Sequence, residues 1–221
     1  MKKGFFITFE GPEGSGKSTQ MRLLSQVLKK HKVPHLVTRE PGGSRLSTHL
    51  RRWILNRLDY ALGPETELFL FLADRAQHVK EVIRPALEKG MIVLCDRYTD
   101  STMAYQGGGR GFDSKFLDEA NRAATGGLTP HLTILFDLPV EKGLERAKGR
   151  GRKADRMERE KLAFHQRVRQ AFLSIAFAEK ERVMVIDASG PQDKVFRLMA
   201  DKILGRLPGP SLKLFKAGLR A

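Results

Sequence analysis

The ten residues EGPEGSGKST (10–19) follow the apolar run GFFITF (4–9), are rich in glycine and carry a single lysine. Within them GPEGSGKS (11–18) matches the phosphate-loop pattern G-x-x-x-x-G-K-[ST]. The pattern lies between a predicted buried strand and a predicted amphipathic helix. Glycines let successive backbone N–H groups point at one anion, and the start of the helix adds its positive dipole end. The stretch therefore predicts a phosphate-binding loop.

Two side chains of this loop have predicted roles. Lys17 is placed to bridge the β- and γ-phosphates of ATP, and Ser18 to offer its hydroxyl to Mg²⁺. We expect Lys17 to lie at an exposed junction of loop and helix. A glycine-rich turn without function is the alternative, and the flanking strand and helix argue against it. The loop residues predicted to contact ATP are Gly11, Pro12, Glu13, Gly14, Ser15, Gly16, Lys17, Ser18 and Thr19.

The rest of the chain alternates short apolar runs with segments of helical length. The runs are almost continuously apolar, which is typical of parallel strands buried on both faces. We therefore predict an α/β fold of three layers, the P-loop NTPase fold, over residues 1–207, with a basic tail at 208–221. The predicted strands are 4–10, 34–39, 91–96, 132–137 and 183–188, and the clearest helical segments are 17–31, 65–88 and 158–181.

Composition narrows the class of protein. Of 221 residues, 41% are hydrophobic and 29% charged, and no apolar run approaches the roughly 18 residues that span a bilayer. The single cysteine, Cys95, excludes an internal disulfide and is expected in the core, so we expect a cytoplasmic protein. The net charge of +15 fits nucleic acid, an anionic membrane or a small polyanionic substrate. Basic residues concentrate in 142–169, which favours phosphate chemistry, although a solvated basic face is an equal alternative.

Sequence patterns outside the phosphate loop indicate which group accepts the phosphoryl group. The guanine-reading N-K-x-D pattern of GTPases is absent, and MIVLCDRY (91–98) places Asp96 where many ATPases carry an Asp-Glu pair. We therefore expect transfer to an organic acceptor rather than to water, with Asp96 assisting Mg²⁺. Another deoxynucleotide or deoxynucleoside kinase and a nucleic-acid-dependent ATPase are the alternatives.

Six stretches, in this order and at this spacing, resemble bacterial thymidylate kinases. The resemblance implies transfer of the γ-phosphoryl group of ATP to dTMP, a requirement for Mg²⁺, and a homodimer with no nucleic-acid or membrane partner. The stretches are FEGPEGSGKSTQ (9–20), TREPGGS (38–44), ELFLFLADRAQHV (67–79), DRYTDSTMAYQGGGRG (96–111), TPHLTILFDLPVEKGLERAKGRG (129–151) and DRMERE (155–160).

The same resemblance implies the residues of the acceptor site. Arg75 and Arg97, with Arg39 as a third, contact chiefly the dTMP phosphate. Phe71 stacks on thymine, although its place in the apolar segment ELFLFLA favours core packing when only the sequence is considered. The other implied contacts are Ser101 and Thr102 on the pyrimidine edge, Tyr105 against the 2′ position and Glu13 near the 3′-hydroxyl.

The resemblance also implies a lid at about 146–160 that closes over ATP. Arg146 stacks on adenine, near the loop DASGP (187–191). Some family members carry a catalytic arginine directly after the acid of the phosphate loop, but here that position is Gly14. We therefore expect Arg150 and Arg156 of the lid to join Lys17 and Arg97 in stabilising the transition state. A basic lid that only attracts ATP is the alternative.

Overall fold

The structure is a computed structural model that describes residues 4–56, 60–149, 151 and 154–206. Its centre is a parallel sheet of five strands in the order β2-β3-β1-β4-β5. This confirms the predicted sheet, and each strand begins and ends within one residue of its predicted bounds. The strands are β1 (Phe5–Glu10), β2 (His35–Arg39), β3 (Ile92–Asp96), β4 (Leu132–Asp137) and β5 (Val183–Asp187). The predicted tail at 208–221 lies outside the described residues.

Helices cover both faces of the sheet. The helical segment predicted over 65–88 is helical throughout, because a π-helical turn, Val79–Ile83, joins α3 to α4 without a break. A second π-helical stretch, Met103–Gly109, continues α5. The helices of the described residues are α1 (Lys17–Lys30), α2 (Arg45–Leu55), α3 (Pro64–His78), α4 (Arg84–Glu88), α5 (Thr99–Thr102), α6 (Ser114–Thr125), α7 (Val140–Lys148), α8 (Leu162–Ala178) and α9 (Gln192–Leu204).

Alternation along the strands divides the core into two sides. Ile7 and Phe9 of β1 pack with apolar residues of α1 and α9. Phe6 points the other way and packs with Val79 and Ile83 of the long helix. Cys95 is fully buried on that second side, as predicted. Each face of the sheet is therefore sealed by helices, which produces the predicted three layers.

The strand register determines where a site forms. Phe9 of β1 pairs with Asp96 of β3, and Arg39 of β2 pairs with Asp96 from the other side. In parallel sheets the carboxyl ends of neighbouring strands share one edge, and ligands bind in the crevice outside it. The phosphate loop, the TREPGG stretch and the DRY stretch therefore meet at this edge. Within the described ranges, no helix has both the length and the apolar character needed to cross a membrane.

Candidate active site

One cavity opens at this edge of the sheet, and the predicted acceptor residues all line it. They come from the phosphate loop, from the end of β2, from α3 and from the segment that follows β3. These residues are Glu13, Arg39, Phe71, Arg75, Arg97, Ser101, Thr102 and Tyr105. Segments as far apart as residues 13 and 105 thus share one wall, as the resemblance implies.

The phosphate loop has the backbone geometry of an anion nest. Gly11, Gly14 and Gly16 all have positive φ, at 136°, 71° and 88°. A Cβ on Gly14 would lie 1.9 Å from the carbonyl oxygen of Gly143, so α7 packs directly against the loop. Glycine is required at residue 14 for this close approach as well as for its φ.

Lys17 is buried, which makes the prediction of an exposed junction wrong. Only 7% of Lys17 is exposed, because its side chain folds back over the loop. Its Nζ donates to the carbonyl oxygens of Gly11 and Pro12 at 2.9 Å each, and contacts Ser15 Oγ at 3.4 Å. Burial, together with nearby Arg97, lowers the pKa of Lys17 from 10.5 to about 8. The ammonium group is therefore desolvated and held over the loop.

Ser18 and Asp96 meet at the start of α1. Ser18 Oγ donates to Asp96 Oδ2 at 2.5 Å. In the part of the chain that the structure describes, no cluster of three or more His, Cys, Asp or Glu side chains is arranged to hold a metal ion. Two oxygen ligands suit Mg²⁺, which takes one or two protein ligands and completes its shell with water and substrate phosphates. The pair therefore fits a nucleotide-bound magnesium ion.

Glu13 connects the phosphate loop to the acceptor wall. Its Oε1 accepts from Arg97 Nη2 and from the Tyr105 hydroxyl, each at 2.7 Å. Burial alone raises the pKa of Glu13, but Arg97, Lys17 and the Tyr105 hydroxyl outweigh burial and lower it to about 2. The Arg97 guanidinium also lies 4.9 Å from the centroid of the Tyr105 ring. The three side chains form one hydrogen-bonded unit in the cavity.

Arg97 and Ser101 are held in place by a buried carboxyl group. Glu10, at the end of β1, accepts from the Tyr98 backbone N–H at 2.7 Å and from Ser101 Oγ at 2.6 Å. Arg97 Nη1 in turn donates to Ser101 Oγ at 3.2 Å. Burial, with nearby Asp100, raises the pKa of Glu10 to about 8. The Arg97 backbone has a φ of 72°, a conformation that non-glycine residues adopt only where the surroundings impose it.

Arg75 is almost completely buried, and four of its five N–H donors are used. Its Nε donates to Glu40 Oε2 at 2.8 Å, and Nη2 donates to the Tyr98 carbonyl at 3.0 Å. Nη1 donates to Thr102 Oγ1 at 2.7 Å and to Asn121 Oδ1 at 2.6 Å. The guanidinium is therefore locked at the cavity wall before any ligand arrives. Thr102, implied to contact the pyrimidine, here accepts from Arg75.

A histidine without any sequence motif supports this arginine. His78 Nδ1 lies 2.9 Å from Glu40 Oε1, and His78 Nε2 lies 2.6 Å from Thr38 Oγ1. A Cβ on Gly43 would stand 2.1 Å from His78 Nε2, so the glycine of TREPGG makes room for the ring. His78 therefore holds Glu40 against Arg75.

Phe71 belongs to the cavity rather than to the core. It is half-buried, lines the cavity, and is not a member of the buried apolar clusters on either side of the sheet. The core packing that the sequence alone favoured is therefore wrong, because α3 turns this residue toward the acceptor wall. Arg39 is exposed at the same opening.

The wall contains further residues that the sequence analysis did not identify. Some lie inside the quoted stretches, beside residues with predicted roles. Others, on α2, belong to no motif and only the fold brings them to the cavity. These residues are Glu40, Pro41, Arg51, Leu55, Gln106, Asp155 and Met157.

Of the three arginines predicted for the adenine side and the lid, the structure describes two, Arg146 and Arg156. Arg146 donates to the carbonyl oxygens of Ala188 at 2.9 Å and Ser189 at 3.2 Å, so α7 and the 187–191 loop do meet. Arg150 lies outside the described residues. Arg156 is not part of the cavity wall in this structure, because its Nη1 pairs with Glu67 Oε2 at 2.6 Å.

Comparison with known proteins finds matches over most of the chain. A family model described as thymidylate kinase matches residues 9–199. The thymidylate kinase of Desulfovibrio desulfuricans is 55% identical over 196 residues, covering 86% of this chain and 90% of that protein. That of Citrifermentans bemidjiense is 49% identical over 223 residues, covering 99% and 97%. A crystal structure of thymidylate kinase from Ehrlichia chaffeensis superposes with a TM-score of 0.74 at 32% identity, covering 91% of this chain and 99% of that chain.

Proposed function

The chain belongs to the thymidylate kinase family, and we propose that it transfers the γ-phosphoryl group of ATP to dTMP with the help of Mg²⁺. The observation that carries the proposal is the Glu13, Arg97 and Tyr105 unit, because it joins the phosphate loop directly to the acceptor wall. Phosphoryl transfer needs little covalent chemistry from the protein and depends on alignment and charge stabilisation. A cleft that holds a P-loop lysine and several fixed arginines suits that task.

On the donor side, we assign ATP to residues 11–19 and to Arg146. Binding of the triphosphate replaces the loop carbonyls as partners of Lys17, since phosphate oxygens carry more charge than carbonyl oxygens. The cation then faces the transferring group without losing a hydration shell at that moment. Ser18 and Asp96 hold Mg²⁺, which neutralises phosphate charge when bound.

On the acceptor side, we assign the phosphate of dTMP to Arg75, Arg97 and Arg39. Arg75 is held by four acceptors and therefore orients its ligand with little loss of side-chain entropy. Phe71 stacks on the base. Tyr105 occupies the space of a 2′-hydroxyl and so selects a deoxyribose.

The remaining acceptor assignments concern hydroxyl and carboxylate groups. Ser101 and Thr102 face the pyrimidine, and Glu13 faces the 3′-hydroxyl of dTMP. Glu13 stays ionised at neutral pH because its pKa is lowered to about 2. It therefore accepts a hydrogen bond from that hydroxyl while keeping its pair with Arg97.

The lid is proposed as a further source of positive charge. Arg150 is one candidate for the transition-state arginine. Arg156 is the other, and it reaches the transferring group only by leaving Glu67. Because Gly14 follows Glu13, the phosphate loop itself offers no arginine.

A homodimer is proposed as the working form, in the cytoplasm. Trp53, Phe69 and Phe116 are 54%, 58% and 43% exposed on α2, α3 and α6. These helices pack side by side, α2 on α3 and α3 on α6. Large exposed aromatic residues on neighbouring elements are typical of a protein interface. Light scattering tests this: Phe69→Glu is expected to give a monomer, whereas a wild-type protein that is already monomeric contradicts the proposal.

The function is tested by a coupled ADP-release assay with dTMP, dUMP, UMP, dCMP and dGMP as acceptors. We expect the highest kcat/KM with dTMP and little ADP release without an acceptor. Preference for another acceptor would indicate a different nucleotide kinase. ADP release that depends on added DNA or RNA instead of an acceptor would indicate a nucleic-acid-dependent ATPase.

A further inference from the structure

A buried carboxylate outside the predicted catalytic set joins three parts of the molecule. Glu67 lies in the first turn of α3, and its side chain is 0% exposed. Its Oε1 accepts from Gln106 Nε2 at 2.8 Å and from Arg110 Nε at 3.2 Å. Its Oε2 accepts from Arg110 Nη2 at 3.0 Å and pairs with Arg156 Nη1 at 2.6 Å. A buried carboxylate is stable only when its oxygens are fully paired, and here they are.

These contacts, together with two hydrogen bonds to α2, hold the end of the lid, residues 154–160, against α2 and α3. The Arg156 backbone N–H donates to the Leu55 carbonyl at 3.0 Å, and Arg156 Nε donates to the Ile54 carbonyl at 3.0 Å. Arg110 Nη2 also pairs with Glu160 Oε1 at 2.7 Å. The segment is thus attached at both ends, and in each case the arginine involved also binds Glu67.

The attached segment contributes to the cavity. Met157 lines the cavity and packs with Tyr105 and Phe164. Gln106, whose amide Glu67 binds directly, lines the cavity as well. A change at Glu67 therefore reaches the acceptor wall by two routes, through Gln106 and through the lid segment.

We propose that Glu67 is a positioning residue for phosphoryl transfer, which fixes lid segment 154–160 to α2 and α3 through Arg156 and Arg110. The proposal rests on the proposed function for its kinetic part. Arg156 acts in it as an anchor of the lid whose guanidinium stays with Glu67 during the reaction, so that of the two lid candidates only Arg150 is left as the transition-state arginine. Helix α3, which carries Phe71 and Arg75, is then linked directly to the lid segment.

The test compares Glu67→Gln with Glu65→Gln, a matched control in the same helical turn whose side chain is exposed. With dTMP and ATP saturating, we expect Glu67→Gln to lower kcat about tenfold or more, because small displacements of positioning groups cost that much. Glu65→Gln should leave kcat unchanged. A Glu67→Gln variant with the same kcat as the wild-type protein would overturn the proposal.

A second measurement does not depend on activity. Limited trypsin digestion, followed by mass spectrometry, reports cleavage within 154–161, where Arg156, Arg159 and Lys161 provide sites. Glu67→Gln should accelerate this cleavage at a temperature where both proteins are folded, with other sites unaffected. Unchanged lid cleavage would overturn the proposal, even if kcat fell through a general loss of stability. If Glu67→Gln does not fold, Arg156→Gln, which leaves the Arg110 pair in place, serves for the same digestion, with cleavage compared at Arg159 and Lys161 only.

A double variant separates anchoring from direct catalysis by Arg156. If Arg156 acts through Glu67, Arg156→Gln added to Glu67→Gln should lower kcat no further, since coupled residues are not additive. A further large loss would show that Arg156 meets the transition state itself and would overturn the anchor. A wild-type protein that is inactive with dTMP would refute the proposed function alone. The digestion would still test whether Glu67 anchors the lid segment.

Discussion

Lys17→Met separates the contribution of Lys17 to catalysis from its contribution to stability. Methionine keeps the unbranched apolar stem of the buried side chain and removes only the ammonium group. In the wild type this group has two backbone carbonyl partners, on Gly11 and Pro12, and little access to water. We expect the variant to fold normally and to lose most phosphoryl transfer.

The stability effect can be worked from two opposing contributions. The pKa of Lys17 is lowered from 10.5 to about 8, chiefly by burial. At 1.36 kcal/mol per pKa unit, that difference disfavours the buried ammonium by about 3 kcal/mol near neutral pH. Losing two hydrogen bonds from a charged donor costs about 1.5 kcal/mol each. The contributions cancel to within about 2 kcal/mol, so the unfolding free energy without nucleotide should change little.

The catalytic effect has no such compensation. Removing one preorganised charge donor from the transferring group typically costs about 10² to 10³ in kcat. Urea unfolding without nucleotide and the coupled ADP-release assay measure the two quantities on the same protein. A folded Lys17→Met variant that keeps near-native kcat would refute the assignment of Lys17 to the transferring phosphate.

The lowered pKa also predicts the pH dependence of stability. Between about pH 8 and 10.5 the unfolded chain keeps the Lys17 proton while the folded protein has lost it. Stability rises with pH wherever the unfolded state binds more protons, so Lys17 adds stability across this interval. The difference between wild type and Lys17→Met in urea unfolding should therefore shift in favour of the wild type from pH 8 to 10.5. A constant difference would show that Lys17 is not desolvated.

Three further substitutions test other parts of the site. Tyr105→Ala should raise kcat/KM for UMP relative to dUMP, because the substitution creates space for a 2′-hydroxyl, while Tyr105→Phe should leave this ratio unchanged. An unchanged ratio in the alanine variant would show that Tyr105 does not select the sugar. Gly43→Ala forces a Cβ onto the ring of His78 and should lower the unfolding free energy, measured in urea, by about 1–3 kcal/mol. Gly63→Ala, whose Cβ meets nothing closer than 3.8 Å, is the control and should leave the unfolding free energy unchanged. Equal unfolding free energies in the two variants would contradict the packing argument. Asp96→Asn should shift the Mg²⁺ dependence of kcat to higher concentration, and an unchanged Mg²⁺ titration would exclude Asp96 as a metal ligand.

Local chemistry explains the features that could be predicted without a structure. The phosphate loop is a continuous segment, and its glycines and lysine act through the backbone of that same segment. The five apolar runs identify the strands because a parallel strand buried on both faces needs an apolar side chain at almost every position. The acceptor residues were reached by resemblance, and the fold then brings Arg75, Arg97 and Tyr105 to one wall.

The pairing of charged side chains was decided only by the tertiary structure. Lys17 was predicted to be exposed at the junction of loop and helix, yet its side chain folds back over the loop and is buried. Glu13 pairs with Arg97, 84 residues away, and Arg75 pairs with Glu40, 35 residues away. Nothing in the local pattern indicated that Arg156 would face Glu67 instead of the cavity.

The physical reason is the range over which each kind of interaction acts. Backbone conformation and apolar periodicity depend on residues within a few positions, so a single sequence contains them. The partner of a buried charge depends on which elements the sheet register and helix packing place within about 3 Å, a distance at which a charge-assisted hydrogen bond forms. The sequence by itself therefore determined the sheet and the phosphate loop, and the assembled fold determined which carboxylate holds each arginine.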